Sequence, residues 1–276
     1  MNLGSNSAAT PRALVDDPQH YELAFMRELL DHGGIGIACQ PIVNLRSPRV
    51  VGWEALLRGT HPHLGPIPPV VLVEAALAHG LLDELTQQVI EQALAVAAQA
   101  TGIVDEPLLV TANIELEQLY VGDRLLDWLK RHPLPDRVGL MLEISERGGD
   151  DWTPMHERAA AELYDRGITL GIDDYGSGSD RFGFLRRRVW DLIKLDQRYL
   201  RDHGDRDRQV LELFVDMVHN LGMPTLAEGV ETPADLVWAQ SMGIDYGQGY
   251  WLGRPLTPAD LLDRLRRDGL DVEVVI

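Results

Sequence analysis

Glu54, Asn113, Glu143, the pair Asp173-Asp174, Lys194, Glu228 and Gln248 each stand at the end of a short apolar run. They follow Trp53, Ala112, Leu142, Ile172, Ile193, Ala227 and Gly247 in turn. Five of them are carboxylates, and carboxylates gathered in one place repel one another and are costly to desolvate. Hard divalent cations relieve that cost, because Mg²⁺ and Mn²⁺ favour carboxylate, carbonyl and water oxygens. Adjacent Asp173 and Asp174 suit two ions, one aspartate bridging while the other serves the second. Two cations about 3.5–4 Å apart can stabilise both the attacking and the leaving oxygen of an in-line phosphoryl displacement. Taken singly, an acid after a strand is more often a helix N-cap or first-turn residue than a ligand. Caps do not account for the whole set, and Lys and Gln are poor caps.

What must position these residues is an alternation of two patterns. Apolar runs occur at residues 35–43, 50–53, 108–112, 138–142, 168–172, 192–193 and 224–227, with a weaker one at 243–247. Between them lie segments with apolar residues at i, i+3, i+4 spacing, at 81–98, 122–130, 155–166, 208–221 and 233–242. Strands alternating with helices imply parallel pairing through right-handed crossovers. About eight strands in a chain of this length predict the α/β class and a closed, TIM-like (β/α)8 barrel in one domain. The barrel is expected over 19–276, after a loose polar tail at 1–18. In such a barrel the C-terminal ends of the strands share one face, so residues far apart in sequence converge at one mouth.

The 276 residues are 45% hydrophobic and carry a formal charge of −18, from 43 acids and 25 bases. That balance excludes a nonspecific binder of nucleic-acid polymers, which needs a basic face. It leaves room for a small phosphorylated ligand, since a bound cation reverses the field locally. No stretch reaches the roughly 18–20 uncharged apolar residues of a membrane span. The N-terminus lacks the basic and apolar regions of a secretory signal. The single cysteine, Cys39, cannot form an internal disulfide. A cytoplasmic protein without a membrane partner is expected.

The segment Gly52-Trp53-Glu54-Ala55-Leu56-Leu57-Arg58 resembles the signature of the EAL family of bacterial cyclic di-GMP phosphodiesterases. The resemblance continues through Gln40-Pro41-Ile42-Val43, Glu143-Ile144-Ser145-Glu146, Asp173-Asp174-Tyr175-Gly176, Asp191-Leu192-Ile193-Lys194-Leu195-Asp196, Ala227-Glu228-Gly229-Val230-Glu231, Gln248-Gly249-Tyr250 and Gly253-Arg254-Pro255. It implies metal-dependent hydrolysis of cyclic di-GMP to linear pGpG, with two Mg²⁺ or Mn²⁺ ions. Glu54, Asn113, Glu143 and Asp173 would hold one ion. Asp173, Asp174 and Glu228 would hold the other, with Gln248 reaching it directly or through water. Lys194, with Glu54 and Glu228, would be catalytic, Lys194 orienting the attacking water. Gln40, Arg58, Asp196 and Pro255 would contact the substrate, Arg58 clamping a phosphate. Glu146 and Glu231 would support the loop after Asp174 and the site. A homodimer is expected by the same resemblance.

Only the resemblance selects cyclic di-GMP. The metal chemistry alone also fits another phosphodiester, and a receptor that binds cyclic di-GMP without cleaving it and acts through protein partners is the alternative. The chain departs from the family pattern at Ser179-Asp180-Arg181, at Glu115 where a serine is usual, and at Leu77 where a glutamate is common. Smaller features have plain readings: His61 and His63 as loop surface, the glycines at 171, 176, 178 and 183 as turn formers, the tryptophans at 128, 152, 190, 238 and 251 mostly as packing, and Arg186-Arg187-Arg188 as a solvated loop.

Overall fold

The computed structural model describes residues 23–120, 124–145, 152–176, 185, 189–200 and 204–272. Glu146, the departure at 179–181, Arg186-Arg187-Arg188 and the 1–18 tail fall outside them.

Strands β1 (Ile35–Asn44), β2 (Arg49–His61), β4 (Leu108–Ile114), β5 (Val138–Ser145), β6 (Ile168–Tyr175), β7 (Leu192–Leu195), β8 (Thr225–Ala227) and β9 (Tyr246–Gly247) close into a TIM-like barrel. A short strand, β3 (Gly65–Ile67), hangs on β2 as a hairpin arm. From β2 onward the ring is parallel, through β2–β4 and each successive pair to β8–β9. The alternation predicts parallel pairing throughout, and β1 departs from it: it runs antiparallel to both β2 and β9. The reason is the link. Residues 45–48 are too few for a crossover helix, so β1 and β2 can join only as a hairpin. Asn44 shapes that turn, its side-chain oxygen accepting from the backbone N–H of Arg46 at 2.9 Å and of Ser47 at 3.1 Å.

Around the barrel lie α1 (Leu23–Asp31), α2 (Pro69–Ala78), α3 (Leu82–Ala100), α4 (Arg124–Arg131), α5 (Pro154–Tyr164), α6 (Asp205–Asn220), α7 (Pro233–Ser241) and α8 (Pro258–Asp268). In α3 the buried residues Leu82, Leu85, Thr86, Val89, Ile90, Ala93, Leu94, Ala97 and Ala100 form one stripe at helical spacing. Helices α5, α7 and α8 share a start, Thr153-Pro154, Thr232-Pro233 and Thr257-Pro258, in which the threonine hydroxyl accepts a first-turn N–H and proline occupies the first helical position.

The barrel has two insides. Its outward faces pack under the helices in one large core that includes Trp53, Val110, Leu140, Ile172 and Ile193. The lumen holds a separate, smaller cluster, Ile42, Met141, Leu192 and Leu226, flanked by Val51, Leu109 and Tyr246. Cys39 is fully buried on β1, and its residue pairs with the backbone of Leu256, N to O at 2.8 and 2.9 Å. Burial pushes its thiol up to about 12. Among the described residues no helix is long and apolar enough to cross a membrane.

Candidate active site at the barrel mouth

In a strand, residues two apart share a face. Two residues on from the apolar floor, the same strands turn polar: Met141 leads to Glu143, Leu192 to Lys194, Leu226 to Glu228 and Tyr246 to Gln248. On β1, which runs the other way, the step is backwards from Ile42 to Gln40, and Gln40 pairs across with Glu54. The sequence places these residues at strand ends. Glu54, Asn113, Glu143, Asp173, Asp174 and Lys194 instead lie within their strands, and only Glu228 and Gln248 follow theirs. A polar inward residue interrupts the apolar run without interrupting the backbone ladder, which is why composition ends the strands early.

Lys194 is the hub. It is almost wholly buried, and its Nζ lies 3.2 Å from Glu54 Oε2, 3.0 Å from Glu143 Oε2, 2.8 Å from Asp173 Oδ1 and 2.9 Å from Glu228 Oε1. Glu54 is tied further by Asn113 Nδ2 donating to Oε1 at 2.7 Å and Gln248 Nε2 donating to Oε2 at 2.8 Å. Distant stretches therefore meet around one point. Asp173, Asp174 and Glu228 each offer an oxygen within 4.8 Å of the others.

Consecutive strand residues point to opposite faces, so Asp173 and Asp174 can join one cluster only if the strand is irregular. It is. The β6–β7 register shifts between Ile172 and Tyr175, and Asp174 has φ +54°, in the left-handed region. This bulge turns the second carboxylate towards the first. Aspartate tolerates that conformation better than most side chains, and strain of this kind clusters at functional sites.

The electrostatics follow the partners. Burial favours the neutral acid at Glu54, but Lys194, Gln248 and Asn113 outweigh it and hold the carboxyl below its usual range. Glu143 is equally buried and has Lys194 alone against the charges of Glu54 and Asp173, so it is pushed well above. Burial, together with Asp173, lifts Glu228 to about 7 despite Lys194. For Lys194, burial disfavours the charge, yet the four surrounding carboxylates overcome it and hold the amine firmly protonated. One ammonium facing Glu54, Glu143, Asp173, Asp174 and Glu228 leaves four negative charges uncompensated when all five acids are ionised. Glu143 Oε1 and Gln248 Oε1 are buried and accept no hydrogen bond among the described residues. Buried oxygens without donors beside excess negative charge fit hard divalent cations, and the donor set is of the kind such ions take.

The other expected site residues divide. Gln40, Asp196 and Glu231 line the mouth cavity, about 320 Å³, with Glu54, Asp174, Glu228, Gln248 and Tyr250. Arg58 lies in a second cavity of about 260 Å³ that is also lined by Asn113, Val70, Val73 and Leu85; Leu56 lines both cavities. Pro255 lines neither cavity. Tyr250 is a mouth residue that the sequence reading does not single out, although it directly follows Gln248-Gly249. The unusual Glu115 has a local role: its backbone N–H donates to Gln118 Oε1 at 3.1 Å in a capping box that starts the turn Leu116–Gln118. Nothing in the structure explains Leu77, which is largely exposed on α2. His61 caps its own loop, Nδ1 accepting from the backbone N–H of His63 and of Leu64 at 3.2 Å, with its ring stacked on Phe25. Trp152 and Trp190 are buried as expected, whereas Trp251 remains more than a third exposed.

A TIM-like barrel whose mouth gathers acids suited to a cation around a buried lysine defines the architectural class of the chain. The chain belongs to the EAL domain family, whose model matches residues 24–255. It is 30% identical over 243 residues to the probable cyclic di-GMP phosphodiesterase PdeN of Escherichia coli K12, a match covering 84% of this chain and 45% of PdeN. The chain thus spans less than half of that relative's length. Among solved structures, the EAL enzyme Bd1971 in its form bound to cAMP and cyclic-di-GMP superposes with a TM-score of 0.78 at 20% identity, over 94% of this chain and 70% of the other. The manganese and cyclic-di-GMP complex of BlrP1 from Klebsiella pneumoniae gives 0.69 at 27% identity, over 87% of this chain and 57% of the other.

Proposed function

We propose that this chain hydrolyses cyclic di-GMP to linear pGpG with the help of two divalent cations, Mg²⁺ or Mn²⁺. The single observation carrying this reading is the convergence of Glu54, Glu143, Asp173 and Glu228 on Lys194 Nζ within 3.2 Å. The family membership and the relatives' names select the substrate.

In this reading Glu54, Asn113, Glu143 and Asp173 hold one ion, and Asp173, Asp174 and Glu228, with Gln248, hold the second. Bound there, the ions supply Lewis-acid charge at the diester and lower the pKa of a coordinated water. The chain's own residues do the rest. Lys194 Nζ orients the attacking water and balances charge growing on the phosphoryl oxygens. Gln248 and Asn113 fix the rotamer of Glu54 through their amide donors. Arg58 clamps a non-bridging oxygen with its forked donors. Gln40, Asp196 and Pro255 contact the substrate, and Glu146 and Glu231 support the rim. The water oxygen bonds to phosphorus, the P–O3′ bond breaks, and a proton ends on the departing 3′ oxygen. The enzyme acts in the cytoplasm and as a homodimer.

Purified protein incubated with cyclic di-GMP and Mn²⁺ should yield pGpG. Absence of pGpG under every metal condition would refute hydrolysis, and tight binding of unchanged nucleotide would assign a receptor instead.

A further inference from the structure

Asp173 and Asp174 stand on β6 and Glu228 just past β8, and β7 lies between those two strands. Strands one place removed from each other are about 10 Å apart. Oxygens of the three acids nevertheless come within 4.8 Å of one another. Lys194 on β7 draws Asp173 and Glu228 together by charge, at 2.8 and 2.9 Å. An ammonium between carboxylates does not fix the backbones that carry them, and these need a support of their own.

The turn that follows β7 meets both flanks. Residues Gln197–Leu200 form a single 3-10 turn. On one side, a Cβ on Gly176, two residues past Asp174, would stand 2.6 Å from Cζ of Tyr199 and closer still to its hydroxyl. On the other, a Cβ on Gly229, the residue after Glu228, would stand 2.5 Å from Gln197 Cβ. Both glycines have positive φ, +91° and +68°, so space and backbone alike exclude a side chain at each.

The turn is itself anchored. Asp196 N–H donates to Tyr175 O at 3.3 Å and Glu228 N–H to Leu195 O at 3.0 Å, which ties its root to both neighbouring segments. Asp196 Oδ1 accepts from Arg198 N–H at 2.8 Å, and Tyr199 N–H donates to Asp196 O at 3.0 Å. Trp238 of α7 donates its indole N–H to Tyr199 O at 3.1 Å, and Leu200 is buried.

We propose that Tyr199 and Gln197 are positioning residues, and that their turn is a spacer holding Asp174 and Glu228 at the separation a divalent cation needs. The spacer rests on the two-cation reading and deepens it, giving the second ion a support outside the acids. Outer partners of this kind are worth about 10- to 100-fold in metal affinity.

The test titrates chelator-stripped protein with Mn²⁺ by calorimetry and follows kcat and KM for cyclic di-GMP. It compares wild type with Tyr199→Leu, Tyr199→Phe and Gly229→Ala. Tyr199→Leu removes the ring against Gly176 and should weaken the looser Mn²⁺ site about 10- to 100-fold, with kcat falling more than KM rises. Tyr199→Phe keeps the ring and should recover most of that affinity. Gly229→Ala drives a methyl group into Gln197 and should weaken the same site from the Glu228 side, with a cooperative melting transition retained. Tyr199→Leu that binds both ions as wild type does would overturn the spacer. So would an equal loss at both Mn²⁺ sites in step with a lower melting temperature, which marks a general loosening. Wild type that takes up fewer than two ions sinks the two-cation reading and the spacer together, whereas two ions in wild type beside indifferent variants sink the spacer alone.

Discussion

The lumen of the barrel contains two neighbouring layers made by the same strands. The lower is apolar, built from Ile42, Met141, Leu192 and Leu226. The upper is polar, built from Glu54, Asn113, Glu143, Asp173, Lys194, Glu228 and Gln248. A step of two residues separates close packing from a cluster of charges that opposes its own burial. The lower layer stabilises the fold and needs no ligand. The upper layer is satisfied only in part by its own hydrogen bonds, as Glu143 Oε1 and Gln248 Oε1 indicate. Chemistry is thus confined to one end of the barrel axis, and substitutions in the two layers should differ in what they do to turnover.

The sharpest separation comes from Lys194→Ala. Turnover of cyclic di-GMP should fall by about 10³-fold or more, since the charge-balancing donor is lost from a water-excluded site. The metal-free protein should also lose about 3–5 kcal/mol in denaturant unfolding, because the carboxylates around it are left without a counter-charge. Retained activity would break the assignment of chemistry to the upper layer. Leu226→Ala, one layer down, should cost about 2–5 kcal/mol in unfolding while kcat and KM stay within a few-fold.

Acidity offers a subtler test of the upper layer. With chelator present, Glu228 titrates near 7 in the folded chain against an ordinary 4.5. A carboxyl whose folded pKa is raised contributes stability that is present below the unfolded value and lost as pH rises through the folded one. The melting temperature of chelated protein should therefore decline between about pH 4.5 and 7, and saturating Mn²⁺ should abolish that decline. An identical slope with and without Mn²⁺ would place the cation elsewhere.

The smallest effect concerns the boundary between layers. Thr111, paired in register with Glu54, is fully buried and its hydroxyl has no hydrogen-bond partner among the described residues. Thr111→Val should change unfolding free energy by less than about 1 kcal/mol, towards greater stability, and leave kcat unchanged. A large loss of activity would move the boundary down into the floor.

The sequence makes the upper layer legible because its residues interrupt apolar runs one after another, a pattern hard to produce by capping alone. The convergence around Lys194 and the closed barrel follow from that pattern. The Asp173-Asp174 bulge does not, because a dipeptide gives no sign that one residue will adopt φ +54°. The reversal of β1 was available in the shortness of residues 45–48, which cannot hold a helix. The helix α8 was likewise signalled by Thr257-Pro258, the start it shares with α5 and α7.

The reversed first strand has a consequence for where the β1–β2 hairpin sits relative to the site. In an all-parallel barrel the chain enters at the floor, remote from catalysis. Here Ile35, the first residue of β1, pairs with Gly59 near the end of β2, and Arg27 of α1 bridges to Glu84 in the first turn of α3 at 2.6 Å. β1 therefore begins on the side of the barrel that bears the carboxylates, and its first residues are laddered to the strand that carries Glu54.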